Sequence, residues 1–183
     1  MFPIELVAKI LKYSLLIDHE EFFCPASKWP IDQQGAPPSG LLLVCKTWLR
    51  TATPFLYSTV VIRTLGQAHA LLDALKGPSG KELAPYIQRL RLDGHFGEIM
   101  KEVFALTQQT TSLFIRVPLF RDEDVDGLEE ALSLLKPTAL YIDMSNFDRY
   151  LPNTRQFIKS LSSVHRNHWD LVRDFNAEST YLH

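Results

Sequence analysis

The chain has 183 residues, 46% of them apolar, with nineteen basic against twenty-one acidic residues and a formal net charge of −2. That apolar content can bury the core of one domain, or of a small domain joined to a medium one, and it excludes a chain disordered over most of its length. A charge so close to balance supplies no long-range field for drawing in nucleic acid or an anionic membrane surface.

The first apolar stretch is interrupted by Pro3, Glu5, Lys9 and Lys12, so neither a signal peptide nor a spanning helix is expected. With Cys24 and Cys45 the only cysteines, a reducing compartment is expected, cytoplasmic or nuclear. Pro3 suits the first turn of a helix and Glu5 the positive end of its dipole, which predicts a helix over 3–16. Ile4, Val7, Leu11 and Leu15 make one apolar stripe, while Leu6, Ile10 and Tyr13 make a second row beside it. One row can pack internally; the other needs cover.

Residues 18–40 hold Pro25, Pro30, Gly35, Pro37, Pro38 and Gly40, and read as a linker. Ser39 is then expected to cap a second helix that Pro54 ends, with Leu41, Val44, Cys45, Trp48 and Ala52 on its inner stripe. This makes Cys45 a small buried thiol, with a bridge to Cys24 as the alternative. Leu42, Leu43 and Leu49 fall off the stripe and add to the apolar surplus.

The order Phe2, Pro3, Glu5, Leu6, helix, then Val44, Cys45, Lys46, Trp48, Arg50 and Ala52 resembles the F-box, the helical module that docks substrate receptors on the Skp-type adaptor of cullin–RING ubiquitin ligases. Ala52 to Val60 is similar to fungal F-box proteins in particular. Phe2 stands where the family has leucine, and the 18–40 linker is longer than a minimal F-box uses. The resemblance implies that Pro3, Leu6, Ile10, Leu11, Leu43, Val44 and Leu49 build or border the adaptor contact, and that Trp48 is the family's buried tryptophan. An ordinary helical hairpin covering one end of the next domain is the alternative reading of the segment.

Four segments beyond it share one pattern, with aliphatic pairs two apart: Val60 and Ile62, Leu90 and Leu92, Leu113 and Ile115, Leu140 and Ile142. That spacing sends both members to one face of a strand. Helices are predicted over 66–76, 98–106, 122–135 and 154–175; Ala68, Leu71, Leu72 and Leu75 and then Val125, Leu128, Leu132 and Leu135 keep one-sided spacing. The unit advances by 30, 23 and 27 residues, inside or close to the roughly 20–29 of leucine-rich repeats. The expected fold is α+β: a helical F-box over 1–56 followed over 57–183 by a short irregular α/β solenoid of leucine-rich-repeat type. A small parallel α/β sheet of ordinary globular type satisfies the same alternation.

If the pairs face the helices, Arg89, Arg91 and Asp93, Ser112, Phe114 and Arg116, and Ala139, Tyr141 and Asp143 face the open side of the sheet. Two aromatics among arginines have the composition of a recognition strip, with Arg89, Arg91, Asp93, Phe114, Arg116, Tyr141 and Asp143 as candidate target contacts. The alternative is that Phe114 and Tyr141 lie beneath the C-terminal segment, Trp169 included.

No catalytic set is expected. His165 and His168 read as solvated helix residues rather than metal ligands, Gly77 to Gly80 as a helix-stop turn rather than a phosphate loop, and Asp122, Glu123, Asp124 and Asp126 as a favourable helix start. The resemblance implies a non-enzymatic substrate receptor. Its partners would be the Skp-type adaptor, cullin through it, and a target protein, with no cofactor, metal, nucleic acid or membrane. An interaction scaffold outside any ligase, and a small α/β enzyme with a helical cap, are the competing readings.

Overall fold

In the computed structural model of the chain, residues 3–18, 22–23, 38–94, 96–116, 128–143 and 172–174 are described. Pro3, which has no N–H to leave unsatisfied, is the N-cap of α1 (Ile4–Leu15), and its carbonyl accepts from the Leu6 and Val7 amides at 3.1 and 3.2 Å. Glu5 in the first turn and Lys12 in the last complement the helix dipole. Val7, Leu11 and Leu15, four apart, are all buried.

The second helix departs from expectation. Pro38–Leu43 form a 3-10 helix, and α2 (Lys46–Ser58) starts only after Cys45. The tighter winding lets the adjacent Leu41 and Leu42 both reach the cluster of Val7, Leu11, Leu15 and Ala52, where Trp48 and Phe55 also pack, while Leu43 turns outward. Cys45 becomes the extended N-cap residue and carries a free, exposed thiol, not a buried one. Pro54 does not end the helix: α2 runs through it to Ser58, and passes into the strand Thr59–Ile62 without a loop.

The rest is strand and helix in alternation. The strands are β1 (Thr59–Ile62), β2 (Arg89–Leu92), β3 (Ser112–Arg116), β4 (Ala139–Asp143) and β5 (Val172–Asp174). Between them lie α3 (Leu65–Lys76), the short α4 (Gly80–Leu83), α5 (Glu98–Leu106) and α6 (Leu128–Leu134). All strand pairs are parallel, and the spatial order β1-β2-β3-β4-β5 is the chain order. Right-handed crossovers that always step the same way return on the same side of the sheet, so α3, α5 and α6 share one face, α5 packing on both of the others.

The expected inward pairs are where the alternation puts them. Ile62, Leu90, Leu92, Leu113, Ile115, Leu140 and Ile142 are buried against Leu71, Leu72, Leu75, Met100, Val103, Phe104 and Leu132, with Val60 packed at the margin. The residue just before β2, β3 and β4 repeats a role. Gln88, Thr111 and Thr138 donate their amides to the carbonyls of Ser58, Gln88 and Thr111 at 3.2, 2.8 and 2.9 Å, which chains each unit to the one before it.

Two glycines are required by geometry. A Cβ at Gly80 would fall 1.7 Å from the Leu75 carbonyl oxygen, and Gly97, at the N-cap of α5, has φ +50. Residues 77–80 form the expected helix-stop turn, in which the Gly77 amide donates to Asp73 O at 2.9 Å.

The predicted helix over 154–175 is overturned at its end, where Val172–Asp174 pair in parallel with Leu140, Tyr141 and Ile142. The unfilled edge of β4 overrides the local helical spacing there. His165, His168, Trp169 and the acidic run 122–126 lie outside the described residues.

Candidate functional site

Two surfaces carry the residues singled out in the sequence. On the helical unit, burying the stripe of Val7, Leu11 and Leu15 against α2 turns the second row of α1 outward. Leu6 and Ile10 are each 49% exposed, and Pro3 and Tyr13 are exposed with them. Leu43, at 86%, with Val44 and Leu49 continues the apolar exposure on the adjoining 3-10 helix and α2. Leu11 is a correction: it is fully buried, because it sits one turn from both Val7 and Leu15 on the packing face, and it is unavailable to any partner. Ile4 is a second correction, in the opposite sense. It was expected on the inner stripe but is exposed at the first helical position, ahead of the turn that carries Val7.

The second surface is the sheet face away from the helices, and its register arranges the candidate residues in rows. One row runs Val61, Arg91, Phe114, Tyr141. At the strand ends Arg116 pairs with Asp143 in register, and Arg63 and Asp93 extend that row. Charges alternate along it: Asp93 lies 3.7 Å from Arg63, 2.8 Å from Arg91 and 3.8 Å from Arg116, and Arg116 Nε donates to Asp143 Oδ2 at 2.9 Å. These groups are spent on one another. Among the described residues no cluster of three or more His, Cys, Asp or Glu side chains is placed to hold a metal ion, and no helix is long and apolar enough to cross a membrane.

This face is not an open strip. Arg91 and Phe114 are fully buried, and Tyr141 and Asp143 nearly so. Residues 22–23, out of the stretch read as linker, cover this face, while Trp169 of the C-terminal segment weighed from the sequence lies outside the described residues. Phe22 and Phe23 close a cluster with Phe114 and Tyr141, flanked by Ile17 and Ala139. Phe23 lies over Tyr141, ring centroids 3.6 Å apart, and Phe22 meets Phe114 edge-on at 6.3 Å. Aromatic pairs in such arrangements contribute about 0.5–1.5 kcal/mol each beyond the area they bury.

Two arginines bind the cover in the same way. Arg91 gives its Nε to Asp93 Oδ1 at 2.8 Å and its Nη1 to the Phe22 carbonyl at 2.7 Å. Arg89 gives its Nε to Thr59 Oγ1 at 2.8 Å and its Nη2 to the Ile17 carbonyl at 2.6 Å. The planar fork makes this division possible, since one nitrogen anchors in the sheet while another faces the crossing chain. Arg91 also stacks on Phe114, and Arg89 lies 5.4 Å from the Phe22 centroid. Burial pulls both guanidinium groups below their ordinary range, opposed by Asp93 for Arg91 and by Asp18 for Arg89.

Phe22 and Phe23 are not singled out by the sequence because proline and polar content mark 18–40 as linker, and Ile17 falls between that linker and the helix predicted over 3–16. The signal available was the adjacent phenylalanine pair itself, which a solvated linker has no reason to carry. Comparison with protein-family models, curated proteins and solved structures returned no match.

Proposed function

We propose that the chain is a substrate receptor of a cullin–RING ubiquitin ligase, with its helical unit docking on a Skp-type adaptor and its strand–helix units holding a target protein. The observation that carries the reading is the exposure of Leu6, Ile10, Leu43, Val44 and Leu49, which the fold leaves wet on the helical unit after filling its own helical core. Large apolar side chains left exposed in such number on one small unit suit an interaction site. The F-box resemblance of the same segment names the partner. Leu11 is withdrawn from the contact set, since it belongs to the core.

The sequential all-parallel strand order and the repeated amide-to-carbonyl links from Gln88, Thr111 and Thr138 support an irregular α/β solenoid, in which each unit packs on its neighbour. In this role the protein performs no bond chemistry. It acts by proximity, converting a rare encounter between target and ligase into an effectively intramolecular one.

The test is size-exclusion chromatography with purified adaptor. The native chain should co-elute with it, and the double variant Leu6→Glu/Ile10→Glu should elute alone with its fold intact. A native chain that elutes alone overturns the assignment and leaves an interaction scaffold outside the ligase.

A further inference from the structure

The sheet side of the covered face is organised without help from the segment that covers it. Asp93 fixes Arg91 and Thr59 fixes Arg89, each through Nε, and Phe114 supports the Arg91 guanidinium from below, 4.2 Å from its centroid. What remains turned toward the crossing chain is two terminal guanidinium nitrogens and an aromatic floor of Phe114 and Tyr141. From residues 17–23 these take two main-chain carbonyls five positions apart, at Ile17 and Phe22, and two adjacent aromatic rings. Main-chain carbonyls are present in every peptide, so among the described residues the main side-chain demand of the site is the aromatic pair, with Ile17 packed beside it and the Asp18 carboxylate acting on Arg89.

We infer that this face is a peptide-binding site for segments bearing two adjacent aromatic residues, occupied in cis by Ile17, Phe22 and Phe23, which a target segment of the same chemistry displaces. The inference rests on the receptor reading only for the occupant being a ligase target. Tethering favours the resident segment, because attachment to the same chain supplies an effective concentration on the order of millimolar. A free peptide therefore competes poorly until the resident pair is weakened.

The experiment uses the full chain and a fluorescent peptide copying residues 15–25 with Cys24→Ser, followed by anisotropy without any adaptor present. The double variant Phe22→Ser/Phe23→Ser should bind this peptide on the order of 100-fold more tightly than the native chain does, the ratio of a millimolar effective concentration to an affinity of order 10 μM. A peptide with both phenylalanines replaced by serine should bind neither protein. If the double variant is folded and binds no more tightly than the native chain, the inference is overturned. If the double variant fails to fold, the copied peptide should restore a cooperative, saturable thermal transition, and absence of that rescue equally overturns the inference. Because no adaptor enters the assay, failure here leaves adaptor docking standing.

Discussion

The guanidinium of Arg91 lies over the ring of Phe114, its central carbon 4.2 Å from the centroid, on the sheet face opposite α3, α5 and α6. The cation is fully buried there, held by Asp93 and capped by the Phe22 carbonyl. Both faces of the sheet are thereby closed by the chain itself, one by α3, α5 and α6 and the other by residues 22–23.

Removing Arg91 tests how much that second seam contributes. Arg91→Ala takes away the stack, the bond to Phe22 and one partner of the partly buried Asp93, and should lower the unfolding free energy by about 3 kcal/mol. Arg91→Met keeps the stem packed, and Asp93 retains Arg63 and Arg116 nearby, so its cost should be about 1 kcal/mol. Urea unfolding at constant slope measures both. Equal costs for the two variants would show that the guanidinium, which both lack, and not packing of the stem, holds the seam.

Within α1, stability and docking should separate by residue. Leu11→Ala opens a cavity in the helical core and should cost about 3 kcal/mol, whereas Leu6→Ala should stay within about 0.5 kcal/mol of the native chain. Thermal unfolding followed by circular dichroism reads the difference. A large loss for Leu6→Ala would mean that its side chain is structural.

Gly80→Ala places a methyl group into the Leu75 carbonyl, so the turn after α3 must shift, at a cost of about 2 kcal/mol. Gly40→Ala meets no atom within 4 Å and is the matched control, expected to unfold with the native midpoint. Chemical denaturation of the pair checks it.

Pro54 sits inside α2 without an amide to offer the Arg50 carbonyl. Pro54→Ala restores that hydrogen bond, at the expense of a less restricted unfolded chain. The net should be a gain of about 1 kcal/mol, seen as a higher denaturation midpoint.

The helical face of the sheet was legible before any coordinates. Leu90 and Leu92, or Leu113 and Ile115, declare their common side through a two-residue period, and Ala68, Leu71, Leu72 and Leu75 declare theirs through a spacing of three and four, so each is a local signal. The exposed row of α1 was legible in part. Leu6 and Ile10 lie outward as their row implied and Leu11 is buried as its stripe implied, against its place in the contact set drawn from the resemblance, while Ile4 leaves the stripe because it precedes the first turn that packs on α2. Cys45 was misjudged because the boundary between 3-10 and α-helix depends on where Leu41 and Leu42 find their cluster.

Sequence by itself determined the alternation of strand and helix, the inward pairs and the apolar surplus of the first helix, because each is written in the spacing of near neighbours. Only the tertiary structure decided that the arginine and aromatic strip is a sealed seam. The contact that seals it joins Arg91 to a carbonyl 69 residues away, and no periodicity reports a pairing of that separation. It also decided that residues 172–174 form a strand, since the edge of β4 that recruits them is created by folding.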